Sequence, residues 1–228
     1  MNRWTKTLLQ VVIVVAVPIV LVVMPIRVLM HPRWVLFEYG RPGFPADLFG
    51  MTLAERTRLA ITGVESIVGP RGVVVLQEAQ LSEGRAAFNE REVGHMQDVR
   101  VVTGNIYLAQ VMLFIAAVVA LAILARQIET RPTAPAALLQ GAVVTAALLM
   151  ALVVLVLVGF DTFFTTFHRV FFTGDTWLFN ASDTLIRLYP PQFWFDAAAV
   201  IGVTTIVEAA VLGAVAWRWS KAIPRHVQ

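Results

Sequence analysis

Three long uncharged runs and one nearly so, separated by two polar stretches and one short basic link, set the pattern of this chain. Residues 7–26, 104–125 and 133–160 hold no charged side chain, and 197–217 holds one, Glu208. Twenty helical residues rise about 30 Å, the thickness of a bilayer's hydrocarbon core. Each run therefore predicts a membrane-spanning helix. The first follows Arg3 and Lys6 and has the look of a signal peptide. Its apolar stretch is too long and no small-x-small cleavage site follows, so an uncleaved anchor is expected, kinked at Pro18 and Pro25.

The polar stretches 27–103 and 161–196 carry their own pattern. Arg41-Pro-Gly-Phe-Pro45 reads as extended and turning. Thr52-Leu-Ala-Glu55 has capping-box spacing, a hydroxyl for orphan amides and a carboxylate reaching back. A helix should follow with Leu53, Ala60, Val64 and Ile67 on one face, weakened by Arg56, Thr57 and Arg58 and ended by Gly69-Pro70. Val73–Leu76 reads as a short strand or an apolar strip on lipid. Residues 88–100 look helical and run toward the second span, putting His95 about 13 Å beyond Gly104 with Asp98 on its face. In the second stretch His168 stands amid Phe160, Phe163, Phe164, Phe167, Phe171 and Phe172. If the third span continues through Asp161, His168 lies about 10 Å past its last apolar turn. The expectation is an all-α membrane protein of one integral domain, residues 1–228, with four transmembrane helices and a mixed extracytoplasmic cap formed by the two outer loops.

Composition agrees: 58% of 228 residues are hydrophobic and 14% charged, well under the roughly 25% of soluble domains. The pI of 9.8 accompanies a net charge of only +3 from dispersed basic residues, which excludes a nucleic-acid partner. With no cysteine, thiol chemistry and disulfides are excluded. Arg3, Lys6, Arg126, Arg131, Arg218, Lys221 and Arg225 flank the runs against one acid, Glu129, whereas 161–196 has two basic and four acidic residues. The positive-inside rule then places both termini in the cytoplasm and both long stretches outside. Trp4, Trp217 and Trp219 fit an inner interfacial belt, and Trp34, Phe37, Trp177 and Trp194 an outer one.

Two titratable groups on one membrane face suggest chemistry. His95 and His168, with Asp98 to orient a ring, suit general acid–base work at the outer leaflet. Taken singly, each histidine also reads as an ordinary interfacial side chain. His95, Asp98 and His168 would make three metal ligands, but no HExxH-like spacing supports a metal. Ser66, Ser82, Ser182 and Ser220 stand in no nucleophile elbow, so acyl chemistry here would be direct transfer. Glu208 reads first as interhelical glue to Gln110, Gln140 or Thr145, and second as a transporter's proton site. His31 and His226 flank spans and receive no role.

Phe167-His-Arg-Val-Phe-Phe172, Trp177, Asp183-Thr-Leu-Ile-Arg-Leu-Tyr-Pro190 and Gln192-Phe193, with Glu92-Val-Gly-His-Met-Gln-Asp-Val99, resemble the two motifs of a bacterial four-helix membrane family. That family includes the lipoprotein intramolecular transacylases (Lit). Pro191 stands where an acidic residue is expected. The resemblance implies residence in the bacterial cytoplasmic membrane and diacylglyceryl-modified lipoproteins as partners, beside membrane lipid. It implies movement of the sn-2 acyl chain to the cysteine α-amino group, with His95 and His168 catalytic and no cofactor needed. Glu92, Asp98, Arg169, Trp177, Asp183 and Tyr189 would support the site or bind substrate. The alternative is a non-catalytic lipid- or lipoprotein-binding protein using the same aromatic groove.

Overall fold

The computed structural model describes residues 1–172, 174 and 176–224. Arg225 and His226 lie outside the described residues, as do the side chains of Phe160, Asp161 and Phe163. Among the described residues eight helices follow in order: α1 (Arg3–Leu29), α2 (Pro32–Gly40), α3 (Leu53–Val68), α4 (Val74–Gln77), α5 (Glu90–Arg126), α6 (Thr133–Phe171), α7 (Thr184–Leu188) and α8 (Pro191–Ala222). No strand occurs among the described residues, only an isolated antiparallel bridge between Gln80 and Ala86. Arg3–Leu29, Glu90–Arg126, Thr133–Val156 and Pro191–Ala222 are long and apolar enough to cross a membrane. The four-span, all-helical reading therefore holds. α1 runs unbroken through Pro18 and Pro25, and Pro191 takes the first position of α8, where its missing N–H costs nothing.

The chain divides into two compact units, and the first comprises Met1–Ile26, Ile106–Val158 and Val200–Gln228. Its core joins Ile13 and Val17 of α1 to Ala120 and Leu124 of α5 and Ala134 and Ala137 of α6. Small residues let the helices close in, as lipid-embedded packing requires. A Cβ on Gly141 would lie 2.7 Å from Val17 Cβ. Gln10 Nε2 donates to Gln140 Oε1 at 2.8 Å, and Gln110 Nε2 to the Val20 carbonyl at 3.2 Å. Thr145 donates to the Gly141 carbonyl at 2.8 Å. Two of the partners expected for Glu208, Gln140 and Thr145, are thus engaged elsewhere, and its buried Oε2 finds none among the described residues.

The second unit, Arg27–Asn105 with Gly159–Ala199, packs around Val35, Leu59, Leu76, Met96, Leu188 and Phe193. α3 starts as its sequence predicts: Thr52 Oγ1 accepts from Glu55 N at 3.2 Å. The Glu55 carboxylate does not reach back, however; it accepts from the Ser82 hydroxyl at 2.8 Å. The buried face of α3 also differs from the expected one. Leu53 is 61% exposed while Arg56 is 3% exposed. Arg56 Nε donates to the Arg187 carbonyl at 2.8 Å and Nη1 to Pro45, with the guanidinium over the Tyr39 and Phe44 rings. A charge becomes a core residue here because carbonyls and ring faces replace its water.

Residues 73–76 form no strand. Gly72 (φ +59) turns the chain, and α4 buries Leu76. Arg100 Nη1 serves the end of α3, donating to the carbonyls of Ser66, Ile67 and Gly69 at 3.1, 2.8 and 2.8 Å. A cation there satisfies orphan carbonyls and complements the helix dipole. Arg187 grips Asp47 with two bonds of 3.0 and 2.9 Å, and this bonding holds the Asp47 carboxyl down at about 2. Arg41 bridges Glu38 and Asp196, tying α2 to the first turns of α8.

Tyr189 donates its hydroxyl to the Ala60 carbonyl at 2.7 Å and passes directly over Gly63, where any Cβ would collide with that hydroxyl. Gly63→Ala is expected to destabilise the protein by about 1–3 kcal/mol, the usual range for overpacking. Tyr189→Phe removes the obstruction, so the double variant should lose less than the sum of the singles. Thermal melts of the four proteins check this.

Candidate active site

α5 opens with a reciprocal cap. Asn89 Oδ1 accepts from Glu92 N at 3.0 Å, and Glu92 Oε2 accepts from Asn89 N at 2.8 Å. This is a capping box, with Asn in the Ser/Thr place. His95 follows one turn after Glu92, on the same face. His168 rides on the last part of α6. That helix breaks at Gly159 (φ −167, ψ 77), so residues 160–171 form a helix of their own rather than a continuation of the third span.

The two imidazoles meet at one aromatic ring. Phe172 lies 4.9 Å from the His95 ring and 5.7 Å from the His168 ring, centroid to centroid. Phe179 closes on His95 at 5.4 Å. Phe164, Phe167 and Trp177 surround His168 at 4.0, 5.5 and 4.8 Å. Trp177, expected in an outer interfacial belt and, by the resemblance, among the supporting site residues, is only 7% exposed: it packs on His168 and Phe164 and donates to the Gly174 carbonyl.

Their electrostatics differ. Burial pulls His95 down to about 4; a charge on His168 adds to that effect and Asp98 opposes it. His95 is therefore a neutral imidazole at pH 7, and its Nδ1 is buried with no partner among the described residues. His168 Nδ1 lies 2.8 Å from the Phe164 carbonyl. A carbonyl only accepts, so Nδ1 carries the proton and Nε2 keeps the free lone pair. One ring thus leaves Nε2 as its free acceptor, and burial favours the neutral form of the other. Among the described residues no three His, Asp or Glu side chains converge to hold a metal.

The other expected site residues take varied places. Asp98 acts on His95 through its charge. Arg169 is exposed and lines a polar cleft with Thr162, Thr165 and Thr166, about 100° around the helix from His168. Glu92 and Asp183 spend their carboxylates on stitching the two polar stretches together. Leu185 N donates to Glu92 Oε1 at 2.7 Å. Asp183 accepts from Arg91 at 3.0 Å, Asn89 at 3.3 Å and Asn180 N at 2.7 Å. Thr184 donates its hydroxyl to the Ala87 carbonyl. Tyr189 is likewise committed, to Ala60 and to packing on Phe193 and Trp194. Asn89, Arg91 and Thr184 were not singled out in the sequence. Asn89-Glu-Arg-Glu92 does carry a signal: Asn89 precedes Glu92 by three, the spacing recognised at Thr52.

Comparison with known proteins now decides the family. The family model "Lipoprotein intramolecular transacylase Lit" matches residues 11–194. The chain belongs to this family. A relative, an uncharacterised protein of Aquifex aeolicus, is 28% identical over 89% of this chain and 90% of its own length. The solved structure of the membrane-integral lipoprotein intramolecular transacylase Lit from Bacillus cereus superposes with a TM-score of 0.67 at 17% identity, covering 96% of this chain and 98% of that one. Versions of that protein with one histidine replaced align with TM-scores of 0.63 and 0.64 and cover 95% of this chain. At such identity the likeness speaks for the fold: a multi-pass, membrane-integral helical protein.

His95 binds a proton near pH 4 when folded and near 6.5 when unfolded. Between those values the unfolded chain holds more protons, so stability should fall as pH drops through that window. Thermal melts from pH 7 to 4 should show the decline, and part of it should vanish in His95→Phe.

Proposed function

We propose that this family member is an intramolecular transacylase of bacterial lipoproteins, with His168 as general base and His95 as a neutral hydrogen-bond donor. It moves the sn-2 acyl chain of the diacylglyceryl-cysteine to the cysteine's own α-amino group. The observation that carries the reading is the meeting of two imidazoles at Phe172, in a chain matched to the transacylase family over most of its length.

The chemistry demands two such groups. The α-ammonium first sheds a proton to give a free amine. Its nitrogen attacks the sn-2 ester carbonyl, and a C–N bond forms as the carbonyl becomes an oxyanion. His168 Nε2 takes the proton the nitrogen must lose. A ring N–H of His95 steadies the oxyanion, and a neutral imidazole surrounded by apolar groups can donate without leaving a net charge buried. The intermediate collapses, the C–O bond to glycerol breaks, and His168 returns its proton to the departing oxygen. The products are an amide and a lyso-glyceryl hydroxyl. Amine and ester belong to one molecule, which supplies proximity. The aromatic rings offer an apolar wall to acyl chains, each buried methylene being worth about 0.8 kcal/mol. In this reading both termini are cytoplasmic and the histidines work at the outer leaflet of the bacterial cytoplasmic membrane, with no metal or nucleotide.

The test is mass spectrometry of a reporter lipoprotein's N-terminal lipopeptide, from a host that makes only diacylated lipoproteins. Expression of this chain should move one acyl group from glycerol to the α-amine at unchanged mass. His95→Ala and His168→Ala should each cut the rate by at least about 100-fold. An unmoved acyl group in cells holding folded protein would overturn the reading in favour of a lipid- or lipoprotein-binding role.

A further inference from the structure

We propose that Glu92 is the positioning residue of the histidine pair: its single buried carboxylate caps α5 and α7 at once and so holds His95 against Phe172 and Phe179. Only the kinetic arm of its test rests on the transacylase reading.

The two oxygens divide the work. Oε2 accepts from Asn89 N and closes the first turn of α5. Oε1 accepts from Leu185 N, near the start of α7, ninety-three residues away in sequence. α7 has need of it. Asp183 occupies the N-cap position of α7 yet makes no capping bond with its side chain. Its carboxylate is spent instead on Arg91, Asn89 and Asn180 N. The orphan amide of α7 is therefore met from another helix. Two helix N-termini converge on Glu92, and their amides offset part of the burial of a side chain only 1% exposed, though burial still holds its carboxyl above the usual range.

Geometry carries the effect to the imidazole. His95 lies one turn beyond Glu92 on α5, so a slip or rotation of that turn displaces the ring. Phe179, which walls His95, belongs to the stretch leading into α7. Arg91 also spans the seam, pairing with Asp183 and lying over the Phe179 ring at 5.5 Å, but its side chain is 45% exposed against 14% for Asp183. A half-exposed arginine partner weakens an ion pair through solvent screening. The buried carboxylate is the member that fixes distance.

The experiment compares wild type, Glu92→Ala and Glu92→Gln in detergent at neutral pH. The first readout is carbethoxylation of each histidine by diethyl pyrocarbonate, followed by peptide mass spectrometry. In Glu92→Ala the His95 rate should rise about tenfold while that of His168 changes less than about twofold, as local opening at one turn requires. The second readout is transacylation. There kcat should fall about 100-fold with KM within about twofold of wild type, the mark of lost positioning. Glu92→Gln keeps one acceptor oxygen and should lie between; it is the variant read if the alanine chain does not fold. A lowered melting temperature with unchanged His95 reactivity and kcat would overturn the proposal, leaving Glu92 a stabilising residue. A raised KM at unchanged kcat would overturn it in favour of substrate binding. Should wild type transfer no acyl group, the modification rates still decide.

Discussion

Every helix end leaves backbone N–H or C=O groups that must find partners, and the second unit, built from short helices and turns, has many such ends to satisfy. Buried and half-buried charged side chains perform that service. Arg100 gathers the last carbonyls of α3, and Arg56 reaches the carbonyls of Pro45 and Arg187. Asp47 accepts from Met51 N and Phe49 N while Arg187 grips it. Glu92 serves two helix starts. These charges are not ornaments on an apolar core. They close the main chain where no regular ladder can, and the aromatic and aliphatic side chains pack around them.

The histidine pair draws on that rigidity. Its surroundings are mainly rings, which offer no charge and little hydrogen bonding, so each imidazole is defined by the few polar groups that reach it. For His168 that group is a main-chain carbonyl. For His95 it is the charge of Asp98, set against burial. Two copies of one side chain thus stand in unlike settings, one anchored through Nδ1 to the main chain and the other buried with its Nδ1 unbonded among the described residues.

The spans were legible because a bilayer imposes length and apolarity on any helix that crosses it, and no tertiary contact is needed to see this. The same pattern misled where burial follows tertiary partners. Arg56 looked like a flaw in the α3 stripe and is part of it, since carbonyls of distant segments replace its water. Four apolar residues at 73–76 could not reveal their period. Trp177, assigned by pattern to an interfacial belt, packs on His168. The two histidines stood out singly from composition and motif. Their meeting at Phe172 depends on the break at Gly159 and the seam between residues 87–92 and 180–185, neither visible as a local pattern. Half of Glu92's part was readable, in its spacing from Asn89; the bond to Leu185 N was not.

The proton on His168 Nδ1 is held by the main-chain oxygen of Phe164, not by a side chain. That choice makes the ring's orientation tolerant of mutation. Substitution at position 164 changes the wall but keeps the carbonyl, so the nitrogen the ring leaves free stays the same through sequence drift. A lineage can therefore reshape the apolar surface around His168 without disturbing which nitrogen the imidazole presents.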